Sequence, residues 1–166
     1  MDSDRDVLVI GIGNLYRRDD AVGIEILRRL QGNVPFGVTL LEATGEGTAL
    51  LDAWRGFDEV YVCDAVSSDA PAGHIYRLDA VAEPVPRAFF NYSTHAFALA
   101  EAVEMARALG ELPRRLVIYG IQGETFAAGR GLSTALDLAA DVVAAQLREE
   151  LRDEAGPPAP KRNASI

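Results

Sequence analysis

The residues able to carry hydrolytic or metal chemistry fall in three separate segments. Asp19 and Asp20 follow a glycine turn, Gly11-Ile12-Gly13-Asn14; Asp64 follows the apolar run Val60-Tyr61-Val62-Cys63; His95 follows Ser93-Thr94. Two carboxylates and one imidazole make a nitrogen–oxygen donor set that suits a borderline divalent ion such as nickel or zinc. Three protein ligands leave coordination positions open for water or a substrate group. Each residue also has a plainer reading. Asp19 and Asp20 stand where acids complement a helix dipole. Asp64 can be bonded to nearby backbone N–H groups, because a lone buried carboxylate is costly. His95 can pack or cap at a helix start. The set as a whole favours chemistry, because both carboxylates fall on strand-end loops at one end of a sheet.

Other groups point less to chemistry. His74 follows the turn Pro71-Ala72-Gly73 and reads as a solvated surface histidine. Cys63 lies inside an apolar run and reads as core. Arg17 and Arg18 read as a solvated loop face. There is no G-x-S-x-G elbow and no H-E-x-x-H helix. A dinucleotide-binding reading of Gly11 and Gly13, with Glu42 as the ribose acid, fails at the third glycine. That position is Tyr16, where close helix packing is wanted. Asp19 and Asp20 would also repel a pyrophosphate at the same helix N-terminus.

The elements that must position these residues follow from hydropathy. Asp6–Ile12, Gly37–Leu41, Asp58–Cys63, His74–Leu78 and Arg115–Ile121 read as strands, several of them continuous apolar runs of the kind buried on both faces. Ala21–Leu30, Thr48–Trp54, His95–Leu109 and Ser133–Leu151 read as helices, with Ser93 or Thr94 and then Ser133 as N-caps. Alternating strands and helices predict an α/β fold, a single-domain three-layer sandwich with a mostly parallel sheet and helices on both faces. Chemistry in such sheets gathers beyond the carboxyl ends of the strands. The domain is expected over residues 7–152, with disordered ends at 1–6 and 153–166, the latter rich in proline.

Composition bounds the partners. The 166 residues fit one domain, and 49% are hydrophobic, enough for an ordinary core. The net charge of −9 argues against nucleic acid and against an anionic membrane surface. No apolar run approaches the ~18 residues that span a bilayer, and the N-terminus lacks the pattern of a signal peptide. One cysteine permits no internal disulfide. These features predict a cytoplasmic protein.

Taken in order, four segments resemble the hydrogenase maturation protease family. They are Gly11-Ile12-Gly13-Asn14 with Asp19-Asp20-Ala21-Val22-Gly23; Val62-Cys63-Asp64-Ala65-Val66; Ser93-Thr94-His95 through Ala102; and Gly120-Ile121-Gln122-Gly123-Glu124 with Gly131-Leu132-Ser133. The likeness runs from about Val7 to about Leu147. It implies that Asp20, Asp64 and His95 contact a metal and form the catalytic site of an endopeptidase. The family carries Glu or Asp at the first of these positions. The implied substrate is the precursor of a nickel–iron hydrogenase large subunit, cut near its C-terminus after nickel loading. The nickel is chiefly the substrate's own, with zinc or cadmium as substitutes in vitro. Glu42-Ala43-Thr44-Gly45 departs from the family's usual acid followed by Gly-Thr. The alternative on the same fold is a non-catalytic nickel-binding assembly factor.

Overall fold

Val7–Ile12 is apolar apart from Gly11 and is buried along its whole length, forming β1 at the interior of a five-stranded sheet. The computed structural model describes residues 6–86, 89 and 94–155, with the side chains of 94–98 and 153–155 left aside. The expected disordered ends fall largely outside these residues.

The remaining elements are α1 (Val22–Leu30), β2 (Val38–Ala43), α2 (Gly47–Trp54), β3 (Glu59–Val66), β4 (Ile75–Asp79), α3 (Thr94–Leu109), β5 (Arg115–Gln122) and α4 (Thr134–Ala155). A 3-10 turn, Arg18–Ala21, precedes α1. The sheet order is β2-β1-β3-β5-β4. All neighbours are parallel except β4, which returns antiparallel beside β5. A short turn before β4 permits that reversal, whereas each parallel step carries a crossover helix.

Alternation along the strands sorts the core into two layers. Val7, Val9, Tyr61, Cys63, Val117 and Tyr119 pack under α1 and α4. Leu8, Ile10, Val60, Val62, Leu116 and Ile118 pack under α2 and α3. This is the expected three-layer α/β sandwich. Among the described residues, no helix is long and apolar enough to cross a membrane.

Three boundaries moved by two residues or more, and several others by one. β2 runs past the expected Leu41 to Ala43, because Glu42 and Ala43 keep pairing with Gly11 and Ile12. β3 runs past Cys63 to Val66, because Asp64, Ala65 and Val66 pair with Gly120, Ile121 and Gln122. α4 continues four residues beyond Leu151, and Gly156-Pro157 follows its end.

Candidate active site at the carboxyl edge

The glycines of the first loop bring two backbones into contact. A β-carbon on Gly13 would lie 2.3 Å from the Asp20 carbonyl oxygen. One on Gly23 would lie 2.3 Å from the Ile12 carbonyl oxygen and 2.4 Å from that of Cys63. The 3-10 turn and α1 therefore sit directly on the ends of β1 and β3, and only glycine permits that approach. Glu42, the ribose acid of the nucleotide reading, is instead on β2 and pairs with Arg28 at 3.2 Å.

Asp20 is buried in the 3-10 turn, at 3% exposure. Asp64 is fully buried, and its Oδ1 accepts the Ala65 N–H at 2.8 Å. It lies two residues inside β3, not at the strand's end as the sequence suggested. By alternation with Val60, Val62 and Val66 it belongs to the α2/α3 face. α3 covers that face and, as the crossover before parallel β5, begins at the carboxyl edge. His95 is its second residue, with a side chain outside the described residues. Of the two expected N-caps, Ser93 also lies outside the described residues and Thr94 is the first residue of α3. The structure thus gathers Asp20, Asp64 and the first turn of α3 at one edge of the sheet.

Two buried oxygen-donor carboxylates, one in the 3-10 turn and one inside β3, fit a divalent cation in charge and donor type. Among the described residues, no group of three or more His, Cys, Asp or Glu side chains is arranged to hold a metal. Only two of the three expected ligands have described side chains.

Beside this edge lies an open cleft lined by Ser67 and by Gln122 to Ala127. Gln122, one of its lining residues, is held by polar bonds. Gln122 Oε1 accepts the Ser68 N–H at 2.6 Å and the Ser68 hydroxyl at 2.7 Å, and its Nε2 donates to the Gly123 carbonyl at 2.9 Å. The Ser68 and Tyr76 hydroxyls are 2.8 Å apart.

Asp19 does not cap its own helix. Its Oδ2 accepts the N–H groups of Glu124 (2.8 Å) and Thr125 (3.1 Å) and the Ser133 hydroxyl (2.8 Å); its Oδ1 accepts the Ser133 N–H (2.7 Å). The capping reading failed because the donors come from residues over a hundred positions away, which local sequence cannot show. Arg17 and Arg18 are not a merely solvated face either. Arg17 Nε donates to the Phe126 carbonyl at 3.3 Å, and Arg18 Nε to that of Gly131 at 2.9 Å. Cys63 and His74 match expectation. Burial, helped by the Asp64 charge, pushes the Cys63 thiol well up, which suits core and not a nucleophile. His74 is exposed, edge-on to Tyr76 at 4.6 Å.

Known proteins resemble this chain in sequence and fold over most of its length. The sequence profile of the family described as hydrogenase maturation protease matches residues 24–150. The chain is 30% identical over 152 residues to the hydrogenase 2 maturation protease of Escherichia coli, covering 89% of this chain and 91% of that protein. It is 33% identical over 126 residues to the hydrogenase expression/formation protein HupD of Thiocapsa roseopersicina, 74% of this chain and only 56% of that longer protein. Among solved structures, the hydrogenase maturating endopeptidase HybD of Escherichia coli superposes with a TM-score of 0.78 at 29% identity, over 89% of this chain and 93% of that one. The maturation protease HybD of Thermococcus kodakarensis, at 20% identity and a TM-score of 0.68, shares the fold over 88% of this chain and 99% of its own. With profile, sequence and fold in agreement over most of its length, the chain belongs to the hydrogenase maturation protease family.

Proposed function

We propose that this protein is an endopeptidase that removes a C-terminal peptide from the nickel-loaded precursor of a nickel–iron hydrogenase large subunit, with Asp20, Asp64 and His95 meeting the nickel. The observation that carries this reading is the burial of Asp20 and Asp64 at one sheet edge, where α3 also begins, beside an open cleft. The nickel is cargo of the substrate, and zinc or cadmium takes its place in vitro. Asp20, Asp64 and His95 would hold the ion, which would supply Lewis-acid chemistry toward a scissile carbonyl or a water. The chain's own part is to supply the negative charge, to exclude bulk water around the carboxylates, and to hold the peptide along the cleft. Because the ligands recognise loaded metal, cleavage becomes conditional on cofactor assembly.

The test is intact-mass measurement of a cognate precursor, nickel-loaded and metal-free. The wild type should shorten the loaded form only. Asp64→Asn and His95→Gln should each lower processing at least a hundredfold while circular dichroism stays unchanged, since neither opens a cavity. Cadmium should bind with about one ion per chain, more weakly as the pH falls, because an imidazole must be neutral to ligate. Normal processing by both folded variants would sink the site. A wild type that binds metal without cutting the loaded precursor would point to an assembly factor.

A further inference from the structure

Among the described residues, two buried carboxylates are left over by the metal-binding reading: Glu59, which pairs with Arg114 at 2.8 Å, and Asp19. The four hydrogen bonds of Asp19 all go to one distant stretch of chain, the connection from β5 to α4. Four donors match the roughly four acceptor sites of a carboxylate, so Asp19 is committed to protein donors and not to an ion. Two of the donors, the Glu124 and Thr125 N–H groups, belong to residues that line the cleft. The third and fourth come from Ser133, immediately before α4.

Main-chain bonds extend the same contact. The Asp19 N–H donates to the Thr125 carbonyl at 3.0 Å, the Arg18 N–H to the Gly129 carbonyl at 3.1 Å, and the Gly129 N–H to the Tyr16 carbonyl at 2.9 Å. Arg18 is held at a φ of +46°, in the left-handed region that a β-carbon disfavours. The first loop and the loop after β5 are therefore zipped into one unit. Asp19 lies on one side of the zipper and the cleft wall on the other. Asp20, its chain neighbour, carries the carboxylate assigned to the metal.

We propose that Asp19 is a positioning residue for the peptidase reaction: it fixes Asp20 against the cleft wall at Glu124 and Thr125, so that the metal-meeting carboxylate and the bound peptide hold one alignment. This rests on the role given to Asp20 above. The donors are backbone amides whose positions are preset, so the alignment exists before substrate arrives. Misplacement of reacting groups by about 1 Å can cost on the order of a hundredfold in rate.

The test compares Asp19→Asn, Ser133→Ala and Ser133→Thr with Val143→Ala, a core change in α4 that lowers stability without touching the zipper. Processing of loaded precursor gives kcat and KM. Hydrogen exchange over residues 123–126 reports the zipper, and cadmium titration reports the ligand set. Asp19→Asn should lower kcat at least tenfold and speed exchange at Glu124 and Thr125. Ser133→Ala should lower kcat severalfold, and Ser133→Thr, which keeps the hydroxyl, should recover most of that loss. Val143→Ala should keep kcat within twofold at a temperature where it is folded. If Asp19→Asn fails to fold, the contrast between the two Ser133 variants decides. Loss of kcat in Val143→Ala in proportion to lost stability, equal to that of the Asp19 and Ser133 variants, overturns the inference by making the zipper merely structural. Wild-type kcat in a folded Asp19→Asn overturns it as well. Asp20→Asn separates this failure from that of the parent reading. If it is inert while Asp19→Asn is active, only the positioning role falls. If it is fully active and binds cadmium normally, both fall.

Discussion

Asp19 and Glu150 are both carboxylates that collect several donors, and they do so at opposite ends of α4. From Ser133 to Glu150 the helix advances roughly 25 Å, at 1.5 Å per residue. Asp19 is bonded mainly by backbone N–H groups of a loop. Among the described residues, Glu150 is bonded by side chains that rise from strands: Arg77 Nε at 3.2 Å and its terminal nitrogen, Arg115 at 3.4 Å, and the Tyr119 hydroxyl. The strands beneath Glu150 keep their place through the ladders of β5 with β3 and β4. The loop above Asp19 has no ladder of comparable length to fix it. A carboxylate bonded to amides sets where a chain goes, whereas one bonded to side chains stabilises a chain already placed. The two ends should therefore respond differently to substitution, one in rate and one in stability.

The largest effect is expected from Gly23→Ala. The new methyl would stand 2.3 Å from the Ile12 carbonyl oxygen and 2.4 Å from that of Cys63, both backbone atoms. Neither can turn aside, so α1 must lift from the sheet and carry the 3-10 turn with it. We expect a loss of about 3 kcal/mol, the upper end of overpacking costs, together with loss of processing. Gly110→Ala is the control at the far end. Its φ is +70° with nothing within 4 Å, so it should cost roughly 1 kcal/mol of strain and leave the rate alone. Urea unfolding beside the processing assay checks both. Equal loss of rate in the two variants would break the contrast between the ends.

Glu150→Gln should give an intermediate effect, on stability only. Burial alone would raise this carboxyl. Hydrogen bonds from Arg77 and Tyr119, with the charges of Arg77 and Arg115, outweigh it and hold the pKa below its ordinary value. The lowered pKa means that the folded state releases this proton more readily than the unfolded state. The contribution is therefore present above the ordinary Glu value of about 4.3 and is lost as the pH falls through the lower folded value. We expect about 1–2 kcal/mol lost at pH 7, less than for a fully buried pair because the Arg77 side chain is 43% exposed. Denaturant midpoints at pH 7 and pH 4 should also show a shallower acid decline in the variant, with kcat unchanged. A tenfold fall in kcat would join this end of the helix to the site.

The contrast also separates what the sequence reveals from what it hides. The sheet was legible because Val7–Ile10 and Val60–Cys63 are continuous apolar runs, and only a strand covered on both faces tolerates them. Gly13 was legible as the start of a turn, whereas Gly11, expected in the same turn, stays in β1 and pairs with Glu42 and Cys63. Asp20 and Asp64 stood out as acids bordering apolar strands. The end of β3 was missed because Asp64 breaks the hydropathy while its backbone keeps pairing with Gly120. The zipper was invisible because backbone amides carry no residue signature; Glu124 and Thr125 donate through atoms that every residue except proline has. Ser133 was read as a helix cap from its type, yet its hydroxyl goes to Asp19. Nothing local connects positions so far apart.

The smallest effect concerns Tyr61, which lies near the Glu150 group with the Arg115 guanidinium 6.0 Å above its ring. Burial pushes its phenol up to about 12, with Arg115 opposing and the charges of Glu150 and Glu59 adding to the rise. The Tyr119 phenol is raised too, by burial first and then by its bond to Glu150. In the unfolded chain a tyrosine loses its proton near pH 10. Between about pH 10 and 12 the unfolded state therefore binds fewer protons than the folded state, and stability must fall as the pH rises. The buried Cys63 thiol contributes to the same decline, beginning nearer pH 9 because its ordinary value is 9.0. Tyr61→Phe keeps the ring and its packing, so at pH 7 it should change stability by less than about 1 kcal/mol, since only a hydroxyl is removed. At pH 11 its stability should exceed that of the wild type relative to pH 7, because one of the groups forced to stay neutral has gone. Urea midpoints at pH 7, 9 and 11 measure the slope, and Tyr119 and Cys63 should leave part of it in place. An unchanged alkaline slope in the variant would mean that Tyr61 ionises as freely in the fold as in the open chain, and that this end of the sheet admits water to its core.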